Sequence, residues 1–368
     1  MPILRAGNIG QQLVTDADLI WVPLERVSEE QSMCRGDIAI CMSSGSPSVV
    51  GKSAILEHPF EGSVGAFCGL VRSGPLVDAE YLGHWLRSDV FFRWRDSQSR
   101  GASIQNLRFS ELARLEIDLP SIGTQRRIAA ELRGQLLYVD SARTAAAERA
   151  SRRDRLVEMC LANKILTRPD SGWAEVLLRE VVHIQLGKML SPASKTGTRP
   201  VPYLRNANVQ WDRLALSEVH EMDFNETEER KFRLEPGDVL VCEGGQPGRA
   251  AIWVGEIERC CYQKSLHRLR PIGDAVDPRF LMYRLWLGSL RREFTDDHSA
   301  TTIAHLPAVR LAGLKVRLPS VGKQRRIAAE LRQELATIDA MDASIRAEQA
   351  AIEALPGSLL RRAFANVA

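Results

Sequence analysis

The nine residues QRRIAAELR occupy Gln125 to Arg133 and occur again at Gln324 to Arg332, 199 positions further on. Nine identical residues do not recur by chance in a chain of 368, so any fold must be compatible with two copies of one unit. Around the repeat, LPSIGTQRRIAAELRGQLL (Leu119 to Leu137) answers LPSVGKQRRIAAELRQELA (Leu318 to Ala336), with fourteen of nineteen positions identical. Upstream the correspondence weakens but keeps its phase. SIQNL from Ser103 answers TIAHL from Thr302, VDAEYL from Val77 answers VDPRFL from Val276, RGDIAIC from Arg35 answers PGDVLVC from Pro236, and LRAGNI from Leu4 answers LRNANV from Leu204. The chain therefore reads as a tandem duplication, diverged in its first part and nearly unchanged where each copy enters its second.

Each copy has two halves. The first is mixed α/β: the short apolar runs DIAICM and DVLVCE have the length of buried strands, and helical patterns follow over Ala79–Gln98 and Pro278–Asp297. Asp78 and Asp277 stand at the N-cap of those helices, and Pro278 takes the first-turn position that proline favours. The second half is one long helix. Ser121 and Ser320 are its shared N-cap candidates, Thr124 being weaker because its counterpart is Lys323. No Gly or Pro interrupts the pattern between Gln135 and Lys164. In the second copy Leu331, Ile338, Ile345, Ile352 and Leu359 fall seven apart, which keeps one stripe facing a partner helix. The same phase in the first copy gives Leu132, Val139, Ala146, Arg153 and Cys160, a thinner stripe. A helix of about 40 residues is roughly 60 Å long. Either each helix packs on its own α/β half, or the two pair antiparallel as a coiled coil that separates the halves. The concentration of identity in the helices favours the pairing.

Catalytic signatures are missing. SSGSPSVVGKS from Ser43 approaches a phosphate-binding loop, but Gly45 and Gly51 enclose five residues where the Walker pattern needs four, and the second copy has GGQPGRAAI there. The seven histidines make no metal-ligand spacing, the adjacent Cys260 and Cys261 read as small core hydrophobes, and no nucleophile elbow is present. An odd count of seven cysteines without a CxxC pair argues for a reducing, cytoplasmic setting. No apolar run is long enough for a membrane span, and a net charge of +3 permits nucleic acid without demanding it. A duplicated α/β unit on long helices with no active site is a binding scaffold.

These residues resemble the specificity subunits of type I restriction–modification systems, on the strength of the LPxxxxQRRIAxEL helix start occurring twice, each time after an α/β domain. The resemblance implies a first target recognition domain over 1–118, a central conserved helix over 119–167, a second recognition domain over 168–317 and a distal conserved helix over 318–368. It implies a partner in double-stranded DNA, read at a split site. It also implies docking of two methyltransferase subunits through the helices, with S-adenosylmethionine bound on those subunits and no cofactor on this chain, and a motor-nuclease subunit where one is present. The chain itself is expected to be non-catalytic. Expected DNA contacts are Gln246, Arg249, Gln263, Lys264 and Arg268 in and beside the Gly-rich loop of the second copy, and Ser44, Ser46, Ser48 and Lys52 in the first. Arg pairs with guanine and Gln with adenine in the major groove, while Lys more often meets phosphate. Arg5 and Asn8 recur as Arg205 and Asn208, in service of either the DNA or the fold.

One departure separates the copies. The second opens with Trp173 to Tyr203 before its LRNANV, whereas the first has only MPI before LRAGNI. The first domain is thus about thirty residues short, and the segment VLLREVVHIQL from Val176 is expected to cover part of the second domain's core as a short helix or strand pair. Two alternatives remain: a truncated specificity subunit that reads part of a site, and a coiled-coil interaction protein that does not bind DNA.

Overall fold

The computed structural model describes residues 1–98, 106–166, 172–194, 196–294 and 305–365. Two compact units emerge: Met1–Glu148 with Ile345–Ala368, and Arg149–Ser344. Each contains one α/β half and parts of both long helices, so the division cuts the helices rather than falling at their ends.

In the first unit, strands β1 (Pro2–Leu4), β2 (Ile20–Trp21), β3 (Ile38–Cys41), β4 (Ser53–Ile55), β5 (Ser63–Val64) and β6 (Cys68–Val71) form two three-stranded sheets, ordered β2-β1-β5 and β4-β3-β6. The run IAIC of β3 is buried on both faces. Because side chains alternate across a strand, Ile38 and Ile40 enter one apolar cluster and Ala39 and Cys41 another. Helix α1 (Ala79–Trp85) is capped by Asp78, whose carboxylate accepts from the amides of Glu80 and Tyr81. The expected single helix over Ala79–Gln98 is interrupted: Ser88 caps a second helix, α2 (Asp89–Ser97), and its hydroxyl also donates to the Trp85 carbonyl. Then come α3 (Phe109–Leu112) and the long α4 (Ile122–Ser151), with Ser121 at its N-cap accepting from the Thr124 amide.

The second unit begins in the last residues of α4 and continues through α5 (Arg153–Ile165), set off by a single non-helical residue, Arg152. The segment Val176–Leu186 forms both elements expected of it: β7 (Ala174–Leu177), a single turn α6 (Leu178–Val181) and β8 (Val182–Leu186). Next are β9 (Pro200–Leu204), β10 (Val209–Gln210), β11 (Arg213–Leu214), β12 (His220–Asp223), α7 (Glu226–Phe232), β13 (Val239–Cys242), β14 (Ala250–Ile252), β15 (Cys261–Tyr262), β16 (Leu266–Pro271), α8 (Pro278–Leu290), α9 (Ala308–Ala312), β17 (Lys315–Leu318) and α10 (Val321–Phe364). The β1/β2/β5 sheet reappears as β12-β9-β15, and the β3 sheet as β14-β13-β16-β8, one strand wider. Strand β13 again feeds two clusters, Val239 and Val241 into one, Leu240 and Cys242 into the other. Cys260 and Cys261 are buried in the second of these, as small core residues. The pattern expected to run to Asp297 ends at Leu290, and residues 295–297 lie outside the described residues, as do 103–105 and 302–304.

The repeated Gly-Asp before β3 and β13 has a common cause. Gly36 and Gly237 adopt φ of 94° and 95°, which favours glycine. The aspartates that follow are buried, and Asp37 takes the Arg72 guanidinium at 3.0 Å as Asp238 takes that of Arg270 at 2.7 Å.

The repeated glutamine of QRRIAAELR is a clamp. Gln125 Oε1 accepts from the Asp78 amide at 2.9 Å, and its Nε2 donates to the carbonyls of Pro120 and Leu76. Gln324 does the same with the Asp277 amide, Pro319 and Ala275. Each long helix is thereby fastened to the N-cap of the helix in its own α/β half. The buried Ala129 and Leu132 complete that contact in the first unit, and Ala328 and Leu331 in the second.

Beyond these starts the helices meet each other. In the first unit Val139 and Ala146 share a cluster with Ile352, with Leu359 beside it, and Arg143 pairs with Glu353 at 2.6 Å. In the second, Arg153 pairs with Asp339 and Lys164 with Glu330, while Ile338 packs on the main cluster. Rising numbers on one helix meet falling numbers on the other within each unit. The thin stripe of the first copy is explained by charge: Arg153 and Cys160 occupy seam positions, Arg153 satisfied by carboxylates and Cys160 donating to Glu334 at 3.0 Å. Burial and that carboxylate push the Cys160 thiol up to about 12, so it stays protonated. Ile345, expected on the stripe, is half-exposed and joins none of the described apolar clusters.

Candidate nucleic-acid interface

The two units carry loops of different length on the same frame. In the first, the Cys41 amide donates to Lys52 O and the Gly51 amide to Cys41 O; in the second, Cys242 donates to Arg249 O and Gly248 to Cys242 O. These bonds make Lys52 and Arg249 counterparts. Between Cys41 and Gly51 lie nine residues, and between Cys242 and Gly248 only five. Gly51 and Gly248 adopt φ of 81° and 88°, and a Cβ on Gly248 would meet the Phe294 ring, so the turn requires glycine in both copies.

The longer loop is serine-rich. Ser46 and Ser48 are exposed and joined by their hydroxyls at 3.0 Å; Ser44 is half-buried and accepts from the Ser46 amide; Lys52 is exposed beside them. In the shorter loop Gln246 is exposed, while Arg249 is half-buried and donates to the Asn206 carbonyl at 3.0 Å. Gln263 is half-buried and Lys264 exposed on the turn between β15 and β16.

Three of the expected contacts are corrected by their surroundings. Asn8 and Asn208 are 2% exposed, and their amides are spent on local carbonyls: Asn8 donates to Val14 and Ala17, Asn208 to Ala215 and Glu218. They serve the fold. Arg268 is also buried, donating to the carbonyls of Lys231 and Arg233 beneath the ring of Tyr262. None of the three can reach a base without dismantling its site. Arg5 is exposed and Arg205 half-buried, the latter held by Glu218 and His220.

Beside the first loop lies a cavity of about 670 Å³, bounded among others by Ile3, Ile20, Ser43, Gly65 and Phe67. By strand register, Tyr203 stands where the first unit has Ile3, and Gln263 where it has Gly65. Similar frames therefore present surfaces of different shape and chemistry. Among the described residues no group of three or more His, Cys, Asp or Glu side chains is placed to hold a metal ion, and no helix is long and apolar enough to cross a membrane.

The model of the type I restriction modification DNA specificity domain matches residues 170–349. The specificity subunit of the type I restriction enzyme StySPI from Salmonella potsdam is 29% identical over 99% of this chain and 81% of its own length. Over residues 170–349 this chain carries the type I specificity domain. The EcoKI specificity subunit of Escherichia coli K12 is 26% identical, with 99% of this chain and 82% of the relative covered. In fold, the chain is similar to one solved in a study of assembly and conformational transition of a type I restriction–modification system, with a TM-score of 0.79 and 20% identity over 99% of this chain and 90% of that one. The HsdS subunit from Thermoanaerobacter tengcongensis gives a TM-score of 0.63 at 20% identity, covering all of this chain and 90% of that one.

The repeated exposed arginines are what the sequence reading missed. Arg126 and Arg127, with Arg325 and Arg326, stand 59–70% exposed on the helix starts in long-range or i,i+4 ion pairs. Surface pairs of this kind contribute at most about 1 kcal/mol. Folding gives no reason for their identity in two copies; the signal was present in the nonamer itself.

Proposed function

We propose that this chain is the DNA-reading subunit of a type I restriction–modification complex, in which each α/β half reads one part of a two-part site. The observation that carries this reading is the pair of unequal loops, nine and five residues, built on the same hydrogen-bonded frame. Arg249 and Gln246 are the base-reading candidates of the second unit, Lys264 and Lys52 the phosphate contacts, and Ser44, Ser46 and Ser48 the polar edge of the first. The paired arginines on the two helix starts support docking of two copies of one partner, the methyltransferase, which brings S-adenosylmethionine. A motor-nuclease subunit completes the restriction complex. The chain itself turns over neither DNA nor cofactor, and works in the cytoplasm.

The test is coexpression with its methyltransferase followed by mapping of methylated adenines. The expected result is a single two-part motif, and exchange of residues 243–249 should change one part and leave the other intact. A change in both parts, or no methylation, sinks the assignment. A second reading, that only the second unit reads DNA, is supported by the narrower sheet of the first; it gives a one-part motif.

A further inference from the structure

One place recurs in both units and is filled in only one of them. In the second unit Trp211, at the tip of the β10–β11 hairpin, stacks on Trp286, with ring centroids 5.0 Å apart and planes 3° from parallel. Its neighbour Asp212 accepts from the Tyr283 hydroxyl at 2.9 Å and pairs with Arg279. Met282, beside them on α8, is fully buried.

Helices α1 and α8 align through their caps, Asp78 and Asp277. Gly83 therefore stands for Met282, His84 for Tyr283 and Arg87 for Trp286, while Glu80 replaces Arg279. The hairpin tip is Gln11–Gln12 in place of Trp211–Asp212. Two indoles and a thioether have given way to smaller or more polar groups. What they would fill is a cavity of about 220 Å³ between α1, α4 and the end of β4, with Ile55, Gly83 and Leu136 as its apolar lining.

Most of the charges around this cavity are spent. Arg133 of α4 pairs with Glu80 at 2.9 Å, and Arg143 holds Asp140 at 2.7 Å. Burial keeps the His84 ring neutral, and neither of its nitrogens has a partner among the described residues. Two ions are left over. The Arg87 guanidinium is half-buried and makes no hydrogen bond or close ion pair among the described residues; burial draws its pKa down, with Asp140 and Glu57 pulling the other way. The Glu57 carboxylate, exposed at the cavity's rim, is equally without a close partner among the described residues. A partly desolvated guanidinium with no acceptor forgoes the strongest hydrogen bonds open to it. Packing alone gives no reason for an arginine where the other unit has a stacked indole.

We propose that this cavity binds a free amino acid with a large apolar side chain, its carboxylate on Arg87, its ammonium toward Glu57, and its side chain against Ile55, Gly83 and Leu136. One unspent cation and one unspent anion match a zwitterion. Phosphate or a dicarboxylate would bring surplus negative charge up to Glu57, Glu80 and Asp140, and a simple cation would leave Arg87 unanswered. The volume lies below the roughly 300 Å³ at which sites for drug-sized ligands begin, which suits one amino acid and no nucleotide. The side chain of the ligand takes the space that Met282 and Trp286 occupy in the second unit. The site belongs to the first unit and does not rest on the chain reading DNA.

The experiment is calorimetric titration of the full chain with L-phenylalanine and with L-leucine. Saturable one-to-one binding of at least one is expected, with slower hydrogen exchange over α1 and unchanged exchange over α8. The decarboxylated and the deaminated analogues of the binder should each bind at least tenfold more weakly, a comparison that needs no variant. Arg87→Gln and Glu57→Gln should each weaken binding at least tenfold; Glu57 is exposed, so its variant remains informative if Arg87→Gln disturbs the fold. Gly83→Met, which copies the second unit, should fill the cavity and abolish binding. Failure of both amino acids to saturate, analogues that bind as well as the parent, or binding indifferent to both glutamine substitutions overturns the proposal. So does saturable binding of inorganic phosphate that Arg87→Gln abolishes, which would make the cavity a simple anion site.

Discussion

Replacing Gln324 by Met keeps the side-chain volume nearly constant and deletes every hydrogen bond the amide makes. Gln324 is fully buried; it accepts from the Asp277 amide at 2.8 Å and donates to Pro319 O at 2.8 Å and Ala275 O at 3.4 Å. The two short bonds contribute about 1 kcal/mol each, and leaving their buried partners unpaired costs about 1–3 kcal/mol more. The longest bond adds little. The expected loss is about 3–5 kcal/mol, which for a domain of this size corresponds to a fall in Tm of roughly 6–20 °C. Hydrogen exchange resolves the effect by unit: amides of α8 and the start of α10 should exchange faster, while those of β3 and α1 hold. Gln125→Met supplies the mirror experiment, with the first unit loosened instead. If Gln324→Met changes stability by less than about 0.5 kcal/mol, the clamp is energetically idle and the identity of the two glutamines must be explained by a shared partner.

Ala146 is fully buried against Ile352, so Ala146→Asp should place a charge in an apolar seam and part the helices of the first unit; unchanged methyltransferase capture in a pull-down would argue against docking on the paired helices. Arg249→Ala should weaken DNA binding by about 1–3 kcal/mol and relax one position of the site, whereas Lys264→Ala should weaken all sequences alike and flatten the salt dependence; titrations at two salt concentrations separate the two. Burial and the nearby Arg87 and Arg133 hold the His84 imidazole down to about 4, with Asp78 pulling weakly the other way. A folded value below the unfolded one of about 6.5 means that stability is complete above pH 6.5 and is lost as pH falls toward 4, on the order of 3 kcal/mol. Denaturation of the parent and His84→Leu across that range should show the slope in the parent alone. The first unit, whose β3 sheet is one strand narrower, should exchange amide protons faster over 1–118 than the second does over 168–317; equal protection would mean that the narrower sheet costs no stability.

Much of this was legible in the sequence because it was written twice. Asp78 and Asp277 as caps, the two-faced strands and the helix starts at Ser121 and Ser320 all follow from local rules acting on repeated residues. The exceptions share a physical cause, which is that a side chain's partners lie far away in the chain. Asn8 and Arg268 look like surface polar groups until the carbonyls they satisfy are seen, up to nine and thirty-seven positions away. Gln125 reads as the polar face of a helix, yet two of its three partners lie forty-seven and forty-nine residues back. Ile345 kept the seven-residue spacing but stays half-exposed outside the described apolar clusters, because periodicity places a side chain on a stripe and says nothing of what faces it. The loop residues proposed to read bases were the least legible, since loops answer to a ligand rather than to a core.

The first unit is assembled from pieces distant in the chain, Met1–Glu148 and Ile345–Ala368, while the second is contiguous. At a synthesis rate of 5–20 residues per second, roughly 10–40 s separate the emergence of Glu148 from that of Ile345. Throughout that interval the inner surface meant for Leu360 and Phe364 has no cover, although everything before it has been made. The second unit can complete itself first, reversing the usual order in which domains fold as they leave the ribosome. In a nascent chain of this protein it is therefore the beginning rather than the end that waits longest for its cover, and a stall late in translation would leave incomplete the half that was made earliest.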